Sequence, residues 1–234
     1  MLLYIIRHGD PTYNPDALTP LGLRQAEAVG RRLAVHGLDE IYASPLNRAR
    51  QTAQPACEML KLEMKIEEWT SEALAWADFS CIQPSGYQGW AFAGQNVFLR
   101  SHPEYCGEKW YEAPIFRETN AKAGYERICA ASDEFLLRQG YERQGGVYRA
   151  TVENKKRIAV FCHYGFGSTW ISHLQNLYPT QVWSSQDIST SGITLFRFGS
   201  KAGAETVPVM EMLSDLSHLY AERLPLRSNA VWEI

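Results

Sequence analysis

The sequence lacks a hydrophobic run near the roughly 20 residues that a membrane-spanning helix needs. The apolar start, residues 1–6, stops at Arg7 and is too short for the core of a signal peptide. The five cysteines are odd in number and scattered without a CxxC pair, so neither a disulfide framework nor a zinc knuckle is predicted. We therefore expect a reduced, cytoplasmic protein without a membrane partner.

An excess of charge of one sign is also missing. The net charge is -3, which provides no broad basic field and predicts no nucleic-acid partner. Apolar residues make up 45% and charged residues 21%, which is ordinary for a globular chain and argues against disorder. Any anion site must therefore be built from a few placed cations.

Short apolar runs alternate with amphipathic stretches along most of the chain. Thr19 before Pro20 predicts the start of a helix that ends near His36. The other predicted segments are strands at Leu2–Ile6, Ile41–Ala43, Ile158–Cys162, Gly192–Phe198 and Val207–Met212, and helices at Pro45–Leu62 and Ser168–Leu177. The alternation predicts an α/β fold, a mainly parallel sheet flanked by helices in three layers, as a single domain over residues 1–234.

Residues 73–120 break this alternation. They are rich in aromatic side chains, among them Trp76, Trp90 and Trp110, and no period is sustained. A long aromatic insertion of this kind favours a lid over the C-terminal edge of the strands, with the three tryptophans as the residues that discriminate between substrates. The alternative is a satellite hydrophobic cluster that caps the sheet.

Two predicted strands end in a histidine. His8 lies in Arg7-His8-Gly9 after the first strand, and His163 follows Ile158–Cys162. Open α/β sheets bind ligands at the carboxyl ends of their strands. Arginine offers a planar fork of donors that suits phosphate oxygens, and glycine lets a ligand approach the backbone.

A second arginine comes from the segment Ser44–Ala53, which opens a helix directly after a strand. The free N–H groups and the dipole of a helix start favour an anion, and Arg48 lies in the first turn. Arg50 points to another face and is predicted to be solvated. Two strand-end histidines and two arginines in one crevice are far more specific than any one of them.

The blocks RHGDPTYN, LTPLGLRQA, ASPLNRARQTA and AVFCHYGFG resemble the histidine phosphatase superfamily, the phosphoglycerate-mutase-like group. The resemblance covers residues 1–72 and about 121–220. It implies that His8 becomes a phosphohistidine, that Arg7, Arg48 and His163 form the rest of the phosphate pocket, and that Asn14 donates to the phosphate. Two guanidinium groups can stabilise a transferring phosphoryl group without a metal, so we expect no metal and no cofactor.

A leaving alkoxide needs a proton, and the family places a carboxylic acid after the second helix. Glu72 best matches that position, and the other candidates are Glu67, Glu68 and Asp78. The chain departs from the family in two places. Asp10-Pro11 stands where glutamate and then threonine or serine are usual. Tyr164 stands where glycine usually follows the second histidine, and could narrow the pocket or contact substrate.

The remaining histidines are interpreted as surface or packing residues: His36, His102, His173 and His218. None is spaced from the others like a set of metal ligands. The functional prediction is a metal-independent phosphatase that hydrolyses a small-molecule phosphate monoester, with Gly9, Asn14 and Tyr164 near the substrate. A phosphoglycerate-mutase-type phosphotransferase and a non-catalytic phosphate-binding module remain as alternatives. The oligomeric state is not predicted.

Overall fold

The computed structural model describes residues 1–226, so residues 227–234, which the predicted domain includes, lie outside the described residues. The strands are β1 (Leu2–Arg7), β2 (Pro11–Tyr13), β3 (Asp16–Leu18), β4 (Glu40–Ala43), β5 (Met64–Ile66), β6 (Ser80–Ile82), β7 (Gln88–Trp90), β8 (Tyr141–Gln144), β9 (Val147–Ala150), β10 (Arg157–Cys162), β11 (Ile193–Arg197), β12 (Glu205–Thr206) and β13 (Val209–Asp215). The α-helices are α1 (Pro20–His36), α2 (Asn47–Leu60), α3 (Glu72–Phe79), α4 (Asn96–Ser101), α5 (Ala121–Arg138), α6 (Tyr164–Leu174), α7 (Pro179–Trp183) and α8 (Ser217–Ala221).

The central sheet has the strand order β13-β11-β1-β10-β4-β5. Its middle strands β1, β10, β4 and β5 pair in parallel, whereas β11 and β13 add an antiparallel edge. The predicted mainly parallel sheet is thereby confirmed. Parallel strands end at the same edge of a sheet. Arg7, the last residue of β1, lies opposite Cys162, the last residue of β10, so the segments that follow the two strands begin side by side.

Alternate residues of β10 point to opposite faces of this sheet. Val160 and Cys162 belong to one hydrophobic core, which also holds Phe166 and Trp170 of α6. Ala159 and Phe161 belong to a second core with residues of α1 and α2. Since a strand alternates its side chains with period two, a strand buried on both faces reads as a continuous apolar run. The sheet therefore lies between two helical layers.

The predicted helix α1 has the predicted boundaries, and the Thr19 hydroxyl accepts a hydrogen bond from the N–H of Gly22 as an N-cap. The other predicted helices shift: α2 begins at Asn47 and not at Pro45, and α6 begins at Tyr164 and not at Ser168. The two glycines of Tyr164–Gly167 indicate a turn by propensity. The helix nevertheless starts there because the Glu72 carboxylate accepts hydrogen bonds from two of its first N–H groups.

The insertion contributes to the main core. Phe92 and Trp110 are buried, and both pack against Trp183 of α7. Besides the short helices and strands given above, the segment has 3-10 turns at Pro103–Cys106, Trp110–Glu112 and Pro114–Phe116. Within residues 1–226, none of the helices is both long and apolar enough to cross a membrane.

Candidate active site

Two histidines meet at the carboxyl edge of the sheet. His8 follows β1 and His163 follows β10, and the backbone N–H of His8 donates to the Cys162 carbonyl at 2.9 Å. The parallel register thus sets the two residues side by side, with their ring centroids 5.2 Å apart. Both side chains are buried. The sequence predicted this convergence, and the strand pairing produces it.

The imidazole of His8 has a defined orientation. Its Nδ1 lies 2.7 Å from the carbonyl oxygen of Gly9. A carbonyl only accepts, so Nδ1 carries the proton and Nε2 keeps its lone pair. Burial, and then the Arg7 charge, hold the pKa of His8 well below its ordinary value. The ring is therefore neutral at pH 7, as a nucleophile must be.

His163 is fully buried beside it. Its Nε2 lies 2.7 Å from the Ser44 hydroxyl, and its Nδ1 has no hydrogen-bond partner among residues 1–226. Burial, followed by the nearby His8, lowers the pKa of His163 well below the ordinary range. A bound phosphate dianion would act in the opposite direction, because an adjacent negative charge favours the protonated ring.

The two predicted arginines reach this site from different elements. Arg7 ends β1, donates to the Ile188 carbonyl at 2.7 Å and lies over the ring of Tyr164, 5.2 Å from its centroid. Arg48 is held by an ion pair with Asp16 at 2.7 Å and lies 5.3 Å from the centroid of Tyr13. Such contacts fix a guanidinium in one orientation, which lowers the entropy lost when it binds an anion.

Glu72 lies at the start of α3 and faces the start of α6. Its two carboxylate oxygens accept from the N–H groups of Gly165 and Phe166, each at 2.9 Å. Burial raises the pKa of Glu72 and prevails over these two hydrogen bonds, which lower it. A carboxyl group in this environment holds its proton to higher pH than a solvated glutamate, which suits a general acid.

One cavity of about 670 Å³ is lined by His8, Arg7, Arg48 and Glu72, whereas His163 is not among its lining residues. Its lining comprises Arg7, His8, Tyr13, Asp16, Leu46, Arg48, Glu72, Ala73, Trp76, Trp90 and Tyr164. The charged members lie together with His8, and the rest of the wall is mainly aromatic. The cavity can therefore hold a phosphoryl group at the arginines and a larger organic group against Trp76 and Trp90.

Some predicted residues lie elsewhere. Asn14 is exposed in the turn between β2 and β3 and does not line the cavity. Trp110, predicted to discriminate between substrates, is instead buried in the core, because its ring fits between Phe116, Tyr125 and Trp183.

The reason for glycine at position 9 also differs from the expectation. A Cβ on Gly9 would come within 2.7 Å of the Gly22 carbonyl oxygen, so α1 and not a ligand requires the small residue. The neighbouring backbone is anchored as well, since the Gly9 N–H donates to the Thr52 hydroxyl at 3.0 Å.

The alternative acids have other partners. Asp78 forms an ion pair with Arg127 at 2.8 Å, and Glu67 accepts from Trp69 and pairs with Arg138. Glu68 is exposed. None of the three lines the cavity. Glu72 is thus the one of the four candidate carboxyl groups that the structure brings to His8.

The remaining histidines and Arg50 also lie away from the cavity. His36 and Arg50 are exposed, and the Nδ1 of His102 hydrogen-bonds the Phe98 carbonyl. His173 pairs with Asp133 at 2.8 Å, and His218 hydrogen-bonds Ser191. Among residues 1–226, no three His, Cys, Asp or Glu side chains group as metal ligands would.

Sequence reasoning missed Tyr13 and Asp16, which line the cavity from the hairpin of β2 and β3. Strands of three residues carry no usable periodicity, so no pattern marks them. The role of Ser44 was also missed, although it stands directly after β4 at the ligand-binding edge of the sheet. That position was a usable signal.

Comparison with known proteins identifies the family to which the sequence is similar. The family model described as histidine phosphatase superfamily (branch 1) matches residues 3–75. A relative from Hydrogenobacter thermophilus, named "Putative phosphoserine phosphatase 2", is 35% identical and covers 80% of this chain and 92% of its own length.

Solved structures share the fold. The phosphoserine phosphatase of Entamoeba histolytica in complex with 3-phosphoglyceric acid is 22% identical, with a TM-score of 0.61, 93% of this chain covered and 98% of the other. A mycobacterial glucosyl-3-phosphoglycerate phosphatase in complex with VO3 is 15% identical, with a TM-score of 0.56, 92% of this chain covered and 99% of the other. At these identities the likeness extends to the fold alone.

Proposed function

The chain belongs to the histidine phosphatase superfamily, and we propose that it is a metal-independent phosphatase which hydrolyses a phosphate monoester through a phosphohistidine on His8. The observation that carries the proposal is the orientation of His8. Its Nδ1 donates to the Gly9 carbonyl at 2.7 Å, which leaves the Nε2 lone pair free in a cavity shared with Arg7 and Arg48.

In the first step, Nε2 of His8 attacks phosphorus and the bond from phosphorus to the ester oxygen breaks. Arg7 and Arg48 neutralise the non-bridging oxygens, on which the charge of the transition state is spread. Glu72 gives its proton to the departing alkoxide. Its oxygens keep lone pairs when it is protonated, so the N–H groups of Gly165 and Phe166 can remain bonded.

In the second step, the Glu72 carboxylate takes a proton from water, and the resulting nucleophile attacks the phosphohistidine. The bond from phosphorus to Nε2 then breaks, inorganic phosphate leaves, and His8 returns to its neutral form. The buried setting of His8 favours this return, because desolvation disfavours the charged imidazolium. The same carboxyl group thus serves as acid and then as base.

The cavity lining also bears on the substrate. The relative from Hydrogenobacter thermophilus and the protein from Entamoeba histolytica are both named as phosphoserine phosphatases, and phosphoserine carries a carboxylate in addition to its phosphate. Among the described lining residues, Arg7 and Arg48 are the only cations, and Asp16 and Glu72 are acidic. We therefore propose that the alcohol portion of the substrate has no negative charge and packs against Trp76 and Trp90.

A labelling experiment tests the nucleophile. Incubation with a radiolabelled aryl phosphate and rapid quenching should trap an acid-labile, base-stable label on the wild-type protein. His8→Ala should abolish both the label and phosphate release. The matched control is His36→Ala, since His36 is exposed and outside the cavity. Labelling that survives in His8→Ala would disprove a phosphohistidine at this position.

A further inference from the structure

The aromatic wall of the cavity lies next to the proposed acid. Trp76 follows Glu72 by four residues on α3, so the two side chains lie on the same face of the helix, one turn apart. Helical side chains lean toward the N-terminus of their helix, which brings the Trp76 ring toward Glu72, and both residues line the cavity. Since Glu72 gives its proton to the ester oxygen, the alcohol portion of the substrate begins beside Trp76.

Trp76 and Trp90 form a corner in this wall. Their rings are nearly perpendicular, at an angle of 81° with the centroids 4.7 Å apart, and both are half-buried. Trp90 is also held from within the protein, because the buried Phe92 stacks against it at 5.5 Å. The face of an aromatic ring attracts positive charge, and aromatic cages that bind quaternary ammonium groups are built from such faces.

The same cavity already places cations over aromatic rings. The guanidinium group of Arg7 lies 5.2 Å from the centroid of Tyr164, and that of Arg48 lies 5.3 Å from the centroid of Tyr13. All four residues belong to the lining. A cation–π contact is stronger when water is excluded from it, so a cavity wall favours this interaction more than an open surface does.

The charges of the lining do not balance those of a bound phosphate ester. Arg7 and Arg48 supply two positive charges, and Asp16, which pairs with Arg48 at 2.7 Å, supplies one negative charge. The proposed mechanism has Glu72 protonated when the ester binds, and the ester carries nearly two negative charges at pH 7. The filled cavity therefore has about one negative charge in excess, which a positive charge on the alcohol portion would neutralise.

We propose that the corner formed by Trp76 and Trp90 binds an ammonium group, and that the substrate is the phosphate monoester of an alkylammonium alcohol. The inference rests on the proposed phosphatase function and names its substrate class. One helical turn, about 5.4 Å, separates Trp76 from Glu72, so a two-carbon spacer after the ester oxygen brings the ammonium group within about 6 Å of a ring. A neutral apolar group in the same corner would gain from burial alone, which is the alternative that the experiment excludes.

Two esters of the same shape isolate the effect of the positive charge: phosphocholine and 3,3-dimethylbutyl phosphate. In the second ester a quaternary carbon replaces the ammonium nitrogen. The wild-type protein should give a kcat/KM for phosphocholine about 10-fold or more above that for the neutral ester. Choline is also the better leaving group, so variants must show how much of this ratio comes from the rings.

Paired variants at position 76 separate the aromatic face from apolar bulk. Trp76→Phe keeps a ring and should keep most of the preference, whereas Trp76→Leu keeps only an apolar side chain and should remove most of it. Leaving-group chemistry is the same in every variant, so a change in the ratio reports the contact with the ammonium group. Asp16→Asn should lower the ratio severalfold, because any effect that it has through Arg48 applies to both esters.

The controls keep this outcome separate from the proposed function. Tyr87→Leu changes an exposed aromatic residue of the insertion outside the cavity and should leave the ratio unchanged. Hydrolysis of the neutral ester and of 4-nitrophenyl phosphate without a preference for phosphocholine, or a preference that Trp76→Leu retains, would overturn the ammonium site alone. Failure of the wild-type protein to hydrolyse any of the three esters would overturn the phosphatase itself.

Discussion

Replacing Glu72 with glutamine tests the acid and its environment together. Both oxygens of Glu72 accept backbone N–H groups at the start of α6. A glutamine has one acceptor oxygen, so its amide nitrogen would face an N–H donor and leave that donor unpaired. An unpaired buried donor costs about 1–3 kcal/mol, and the neutral amide recovers part of this by avoiding the burial of a charge. We expect a net loss of about 1–2 kcal/mol.

This loss corresponds to a fall in Tm of roughly 3–6 °C for a chain of this size. The effect on catalysis should be larger and selective. A general acid contributes typically ~10²–10⁴-fold when the leaving group is a poor one. The kcat/KM of Glu72→Gln for hexyl phosphate should therefore fall by about that factor, while its kcat/KM for 4-nitrophenyl phosphate should fall by less than about 10-fold, because an aryloxide leaves without much protonation.

Calorimetry and steady-state phosphate release measure the two effects on the same preparation. Glu68→Gln is the matched control, since Glu68 is exposed in the same segment and lies outside the cavity. It should match wild type in both Tm and kcat/KM. If Glu72→Gln lowered kcat/KM for the aryl and alkyl esters by the same factor, Glu72 would only support α6, and the proton would have to come from another group.

Three further predictions follow from the same geometry. Burial lowers the pKa of His8 and His163 well below 6.5 and that of His218 to about 4. Below pH 6.5 these histidines therefore bind protons in the unfolded chain but not in the folded chain. Urea titration without phosphate should therefore show that the free energy of unfolding falls by about 1 kcal/mol per histidine when the pH is lowered from 6.5 to 5.5. In His218→Gln this fall should be smaller by about a third. A free energy of unfolding that stays unchanged would contradict the low pKa values. Because arginines carry the charge, phosphate release should persist in excess chelator and be blocked by vanadate, which mimics the five-coordinate phosphorus, whereas a strict need for magnesium would refute this mechanism. With 3-phosphoglycerate, any turnover should release inorganic phosphate, and isomerisation without release would favour a mutase.

The positions of the central residues were predictable because they follow from long segments with a clear physical pattern. The apolar runs before His8 and His163 are typical of short strands buried on both faces, and parallel strands present their ends at one edge. Arg48 lies at the same edge, because it is in the first turn of the helix that follows the parallel strand β4. Thr19 and Pro20 fixed a helix boundary, because local backbone chemistry alone determines an N-cap.

The missed features depend on contacts between segments distant in sequence. Tyr164 reads as part of a turn by propensity, but Glu72, 92 residues before it, starts a helix there by accepting the N–H groups that follow. Asp16 holds Arg48 from a hairpin too short to have a period. The need for glycine at position 9 comes from α1, whose backbone would collide with a Cβ. None of these contacts has a local signature.

The insertion shows why a lid and a cap were hard to separate from sequence. The three tryptophans lie in two different places: Trp76 and Trp90 line the cavity, whereas Trp110 packs in the core. Trp90 also covers the start of α6 so closely that a Cβ on Gly165 would come within 2.3 Å of its ring. Deleting the insertion would therefore uncover the N–H groups that hold Glu72 and strip aromatic side chains from the core. Of these three tryptophans, Trp76 is the one at which selectivity is separable from stability, because its ring is half-buried and contacts Trp90 edge-on at a centroid distance of 4.7 Å.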